Sequence, residues 1–315
     1  CFNGGRISSD GGALLLCETD RKLGLVDRFA ECFADHRAQE WVEHPVEDLL
    51  RQRVFGLALG YEDLNDHDDL RRDALLATCV GKSDPTGEGR SRERDRGSAL
   101  AGKSTLNRLE WGLAERAAED RYRRVAVDTD AVDRFFVDVF LDSYDEPPEE
   151  IFLDFDATDD PLHGHQEGSF FHGFYDHYCY LPLYVFCGKH LLCARLRRSN
   201  IDASEGTVDE LELIVGQIRE RWPDVSIVLR GDAAFARESI FAWCEHSGVD
   251  YVTGIARNAR LEGLLEPAEE PPTIKMADQL RSLPVITLCR VLLTVAPPLG
   301  WLRMCKIFTR LPGAG

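Results

Sequence analysis

The chain has 315 residues, 44% hydrophobic and 29% charged, with 55 acidic against 37 Lys and Arg residues and a formal net charge of −18 at pH 7. That is the composition of an ordinary globular protein with room for two domains, and the charge works against a broadly basic phosphate-binding surface. Ten cysteines without C-x-x-C or zinc-ribbon spacing read as reduced thiols of a cytoplasmic protein, and the most apolar stretch, LPVITLCRVLLTVAPPLGWL, is broken by Arg290, Pro297 and Pro298, against a membrane span.

The chain begins at Cys1 in a Gly-rich turn, NGGRISSDGG. Residues 13–80 then read as helices, ALLLCETDRKLGL, PVEDLLRQRVFGLALG with Pro45 at its first turn, and DLRRDALLATCVG ending at Gly81. A polar loop over 82–98 follows, in which Arg90, Arg92, Arg94 and Arg96 alternate with Ser91, Glu93 and Asp95, the mixed charge of a solvated linker. GSALAGKST (97–105) matches G-x-x-x-x-G-K-[ST] and raises a P-loop ATPase as one hypothesis. The charged GEGRSRERDR before it cannot be the buried strand that a P-loop requires, so the segment reads as a loop leading into a helix that runs to about Arg124. DTDAVDRFFVDVFLDSY is one more helix, closed by DEPPEE. These features divide the chain into a helical region 1–125, a helix and linker 126–150, a core 151–260 and a tail 261–315.

From residue 151 the pattern changes. IFLDFDAT is a strand with Asp154 and Asp156 on one face, and YLPLYVFCG and HLLCARLR form a hairpin turning at Gly188 and Lys189. A helix follows, with Thr207 and Glu210 spaced as a capping box and Val208, Leu211, Val215, Ile218 and Trp222 along one face. VSIVLR is a buried strand, RESIFAWCEHSG a helix stopped by Gly248, and VDYVTGI the next strand. The order β-β-β-α-β-α-β predicts an α/β fold with a ribonuclease-H-like mixed sheet and helices on both faces.

In that topology the first and fourth strands are neighbours, so Asp156 and Asp232 meet at one edge. Two carboxylates there suit Mg²⁺ or Mn²⁺, which take oxygen ligands and keep positions open for phosphate. A pair of such ions can activate water and stabilise the leaving oxygen of a phosphodiester. Asp154 competes for the first position, but Asp156 lies nearer the strand end and precedes Thr158.

GGRISSDGGALLLCETDRKLGL, TLNRLEW, LDFDATDDPLHGHQEG, YLPLYVF, LRRSN and LRGDAAFARE resemble the DDE transposases of bacterial insertion sequences, in the IS-thirteen-eighty group. The resemblance runs from about residue 4 to about 262. It implies a ribonuclease-H-like catalytic domain, dependence on Mg²⁺ or Mn²⁺, cutting and joining of double-stranded DNA at terminal inverted repeats, a homodimer and association with the nucleoid. Residue by residue it makes Asp156 the first and Asp232 the second catalytic, metal-binding aspartate, and it assigns LAGKSTLNRLEW to a helical segment that binds no nucleotide cofactor. Two departures follow. Ala233, Ala234 and Phe235 stand where the family has Ser-Gly-Phe, and no stretch bearing the family's downstream Tyr, Arg, Glu and Lys occurs. After Asp278 there is no acid in a chain where acids make up 55 of 315 residues, so the expectation is a truncated or frameshifted transposase that lacks its third carboxylate.

Around this site Lys189, Arg195, Arg197 and Arg198 are candidate phosphate contacts. His163, His165, His172 and His177 lie within HGHQEGSFFHGFYDH. A zinc hydrolase would need a Cys or HExxH partner that is missing, and the resemblance puts this run in a loop beside the active site. The reading from another functional class is a non-catalytic DNA-binding remnant whose helical half holds inverted-repeat ends.

Overall fold

The computed structural model describes residues 8–110, 121–122, 124–162 and 168–255. The chain divides into two compact units that part between Phe135 and Phe136.

The first unit is helical. Helix α1 (Ala13–Leu23) ends at Gly24, whose left-handed backbone returns an N–H to the Asp20 carbonyl. Helix α2 (Leu25–Ala30) follows at once, fixed by the buried Asp20 carboxylate, which accepts from the Val26 N–H at 2.8 Å and from Arg51 Nε at 3.1 Å. Helix α3 (Val46–Ala58) starts after Pro45 with Glu47 and Asp48 in its first turn, where they favour the helix dipole. The helix expected over DLRRDALLATCVG is two, α4 (His67–Leu70) and α5 (Ala74–Val80), because the Asp73 carboxylate accepts from the Leu76 N–H and starts a new helix. Helix α6 (Lys103–Glu110) comes next.

Strands β1 (Phe33–Asp35) and β2 (Val125–Val127) pair antiparallel, in a region that the sequence reads as helices and loops. Phe55, Leu76, Val80 and Leu100 centre one buried cluster, and Leu49, Leu50, Leu106 and Val125 another.

The G-x-x-x-x-G-K-[ST] segment is packing, not a cradle. The Ala101 N–H goes to Gln52 Oε1, the Leu100 N–H to the Arg71 carbonyl, and the Lys103 N–H to Asp68 Oδ1. The preceding loop is also tied down. Arg90 donates to Glu43 Oε2 at 2.7 Å and to the Ser98 carbonyl, and Ser91 donates to Glu43, so Arg90 does not belong to a solvated linker.

The second unit is built on a five-stranded sheet, and helix α7 (Thr129–Asp142) leads into it. The strands in chain order are β3 (Glu150–Ala157), β4 (Asp160–Pro161), β5 (Phe170–His172), β6 (His177–Tyr180), β7 (Leu183–Cys187), β8 (His190–Arg195), β9 (Ser226–Gly231) and β10 (Asp250–Thr253). Helix α8 (Thr207–Arg221) precedes β9, and α9 (Glu238–Ser247) precedes β10. The main sheet runs β10-β9-β3-β7-β8, with the first three strands parallel and the last two antiparallel to their neighbours.

Strands β4, β6 and β5 form a separate small sheet inserted between β3 and β7. The run expected as a loop is therefore a hairpin from residue 170 to 180, and Tyr180, expected to open the next strand, closes β6. Residues 163–167, with His163 and His165, lie outside the described residues.

Alternation along β3 buries Ile151, Leu153 and Phe155 in one cluster with Phe140 of α7, Leu211, Ile214 and Ile218 of α8, and Ile240 and Cys244 of α9. The three helices thus share one sheet face. Phe152, Asp154 and Asp156 point to the other, where no helix among the described residues covers them. The expected capping box at Thr207 is absent. Gly206, in the left-handed region, precedes α8, and the Glu210 carboxylate accepts from Arg195 of β8. No helix among the described residues is long and apolar enough to cross a membrane.

Candidate metal-binding carboxylate site

Strands β3 and β9 are parallel neighbours, with Phe155 opposite Gly231. Asp156 and Asp232 each follow by one residue, so both carboxylates leave the carboxyl ends of adjacent strands. Parallel α/β sheets place their sites at such ends.

Asp232 caps the short helical turn Ala233–Phe235 and accepts from the Ala234 N–H at 2.8 Å. Two glycines let the backbone crowd around it. A Cβ on Gly231 would lie 3.0 Å from the Phe235 side chain, and one on Gly254 would lie 2.9 Å from the Ala233 nitrogen. The Gly254 N–H donates to the Gly231 carbonyl at 3.1 Å, which ties the end of β10 to this turn.

Part of the Asp156 side chain is open to solvent. The protein around its carboxyl nevertheless displaces enough water to push the pKa above its ordinary value, and the Asp232 carboxylate pushes it further. Asp154 is engaged differently. It takes both arms of Arg230, at 2.6 and 2.7 Å, and that guanidinium lies 4.7 Å from the centre of the Phe152 ring.

The inserted sheet adds residues that the sequence reading missed. Tyr175 sits in the β5–β6 turn with its hydroxyl 3.5 Å from the Ala157 carbonyl, one residue past Asp156. Its phenol is pushed up by burial and then by Asp159, Asp156 and Asp232, three carboxylates near enough to act on it. Asp159 in turn lies 2.8 Å from His177 Nε2. The aromatic-rich runs FFH and HYCY on either side of Gly173 were the available signal for these strands. His172 and His177 face each other across the hairpin, but no group of three or more His, Cys, Asp or Glu among the described residues is arranged to hold a metal ion.

Of the four basic candidates, Lys189 is exposed in the β7–β8 turn and Arg198 is exposed beyond β8. Arg195 is paired with Glu210 at 2.6 Å. Arg197 donates to the carbonyls of Leu181, Ala203 and Glu205 and so stitches the β8–α8 connection.

The donor set at the strand ends is two oxygen-bearing, mutually repelling carboxylates. A hard divalent cation suits such a pair, because it takes oxygen ligands and removes the repulsion. No curated protein matches the chain. A sequence model described as transposase DDE domain group 1 matches residues 1–283, most of the chain. With two aspartates at adjacent strand ends inside the matched region, the chain belongs to the transposase DDE domain family, whose chemistry is the cleavage and transposition of DNA.

Proposed function

We propose that the chain is an insertion-sequence transposase of the IS-thirteen-eighty group, with its five-stranded sheet as a ribonuclease-H-like core. Asp156 and Asp232 would hold Mg²⁺ or Mn²⁺ for cutting double-stranded DNA at terminal inverted repeats. The observation that carries the reading is the meeting of these two carboxylates at the ends of parallel neighbours β3 and β9. A divalent ion held there supplies neutralisation of phosphate charge and activation of water. The protein's part is to fix the carboxylates, Asp156 through the β3 register and Asp232 through its cap on the 233–235 turn.

Lys189, Arg195, Arg197 and Arg198 are proposed to border the DNA path, with Lys189 and Arg198 the more exposed of the four. The helical unit is proposed to hold the DNA ends, in a nucleoid-associated homodimer.

Among the described residues the ends of β3 and β9 bring two carboxylates together, and the chain is proposed to bind metal weakly through them and to stop short of strand cleavage. Mn²⁺ binding by isothermal titration, for the full chain and for Asp156→Asn and Asp232→Asn, tests the assignment. Each substitution should abolish binding; unchanged affinity in both variants would reject the pair. Incubation with a duplex that ends in the inverted repeat tests the inactivity, which nicked product would refute. A non-catalytic DNA-binding remnant predicts a gel shift of that duplex that neither metal nor Asp156→Asn alters.

A further inference from the structure

Tyr175 carries a hydroxyl that the packing of its unit leaves almost idle. Its half-buried ring packs against His172 at 4.9 Å and His177 at 6.0 Å, centre to centre, with Phe174 edge-on at 5.0 Å. Asp176 closes the turn by donating its N–H to the His172 carbonyl at 2.8 Å. A phenyl ring would make every one of these contacts. The hydroxyl has one hydrogen-bond partner among the described residues, the Ala157 carbonyl at 3.5 Å. That is longer than the range of about 2.5–3.0 Å for a well-made O–H···O bond. The carbonyl belongs to the residue after Asp156, and Asp159, Asp156 and Asp232 all act on the phenol. A barely engaged proton therefore stands beside the end of β3.

The carboxylate pair has no cation of its own. What acts on Asp156 is burial, the Asp232 charge and the Ala157 main chain. Four arginines of the unit are engaged elsewhere. Arg230 is taken by Asp154, and Arg237 donates to Asp202 Oδ2 at 2.9 Å. Arg195 pairs with Glu210, and Arg197 serves three carbonyls. A guanidinium at the pair would satisfy the carboxylates, as Arg230 satisfies Asp154, and leave a metal ion little to neutralise. A phenol does not compete in that way, because it is neutral at ordinary pH and offers a single donor.

We propose that Tyr175 is a phosphate-binding residue of this site, its O–H donating to a non-bridging oxygen of the DNA linkage brought to Asp156 and Asp232. The proposal rests on the DNA-cleavage reading of that pair. Charge builds on those oxygens when a phosphodiester is attacked, and a donor already fixed by its ring contacts meets that charge without reorganising.

The test uses the full chain in Mn²⁺ with two duplexes that end in the inverted repeat. One is natural; the other carries a single methylphosphonate at the terminal linkage, resolved into its two diastereomers. Each diastereomer replaces one non-bridging oxygen with a methyl group, which accepts no hydrogen bond. Tyr175→Phe should weaken binding of the natural duplex about tenfold, the effect of losing a hydrogen bond to a charged oxygen. It should cost nothing further in the diastereomer whose methyl stands where the phenol donates. Without DNA, Mn²⁺ affinity should change by less than about twofold, since a protonated phenol is no ligand for it. Equal affinity of wild type and Tyr175→Phe for the natural duplex, with Mn²⁺ binding intact, would overturn the proposal and leave the carboxylate reading standing. An equal loss for the natural duplex and both diastereomers would overturn it too, because the hydroxyl would then act through the shape of the hairpin. So would a loss of Mn²⁺ affinity in Tyr175→Phe, which would make the hydroxyl a brace for the end of β3. A wild type that binds no Mn²⁺ would remove the carboxylate reading, and this proposal with it.

Discussion

At the carboxylate pair, each charge makes the other harder to hold without a cation. Asp156 is raised above its ordinary value of 3.8, by loss of water and then by Asp232, so the folded chain favours the protonated form more than the unfolded chain does. For a carboxyl with a raised folded pKa, stability is lost as pH rises from the unfolded to the folded value. Asp232→Asn removes the neighbouring charge and should lower the Asp156 pKa, read by ¹³C titration of its carboxyl; a value that stays or rises would refute the coupling. Asp156→Asn removes the strained ionised group and should raise the metal-free melting temperature at neutral pH by about 1–3 °C. Asp154 separates itself from Asp156 by the same logic, since Arg230 balances its charge. Two aspartates two residues apart on one strand face thereby acquire different chemistry from their cross-strand neighbours.

The turn after β9 is the element on which Asp232 depends, and its tolerance is set by backbone. A Cβ on Gly254 meets the Ala233 nitrogen at 2.9 Å, and a main-chain atom cannot rotate away as a side chain can. Gly254→Ala should therefore move the 233–235 turn and weaken Mn²⁺ binding. Its effect on global stability should be about 1–3 kcal/mol, the usual range for overpacking. Retained Mn²⁺ affinity, measured beside a denaturant melt, would show that the turn does not position Asp232. Which elements the sequence could reveal follows from how local their signals are. The strands over 151–157 and 226–231 carry continuous apolar or alternating runs, and their ends point to Asp156 and Asp232. Thr207 and Glu210 have capping-box spacing, yet Arg195 of β8, fifteen residues earlier and outside the helix, claims Glu210. Strands β1 and β2 are three residues each and find each other across some ninety positions, which no window on the sequence can detect. Tyr175 and Asp159 were missed for the same reason: their nearness to Asp156 and Asp232 comes from an inserted sheet that folds back, not from any spacing.

For the whole molecule, the two units should respond differently to acid, because the first keeps two histidines neutral in its interior. His44 is held down to about 3, chiefly by burial and then by Lys82 and Arg90, and His67 to about 4, by burial and then by Arg53. The hydrogen bonds agree. Gln52 takes the Ala101 N–H on its oxygen and donates from its nitrogen to the Ala101 carbonyl, which leaves that nitrogen facing His67 Nδ1 at 3.1 Å as a donor. His67 Nδ1 must accept, and a proton there would set donor against donor. At His44, Nε2 lies 3.1 Å from Arg90 Nη1, a group that is always a donor and always charged. The unfolded chain takes up both protons as pH falls through 6.5, while the folded unit refuses them until about 4 and about 3. A depressed histidine pKa therefore removes stability as pH falls through that window, at about 1.4 kcal/mol per pH unit for each residue. Amide hydrogen exchange of the full chain between pH 6.5 and 4 should show α3 and the 99–101 segment losing protection before β3 and β9 do. His67→Gln, which keeps an acceptor near the Gln52 amide, should reduce the steepness of that loss even if it lowers stability at neutral pH. If the two units instead lose protection together, with a slope that neither His44→Gln nor His67→Gln changes, the acid response belongs to the carboxylates of this strongly acidic chain and the buried histidines are not its source.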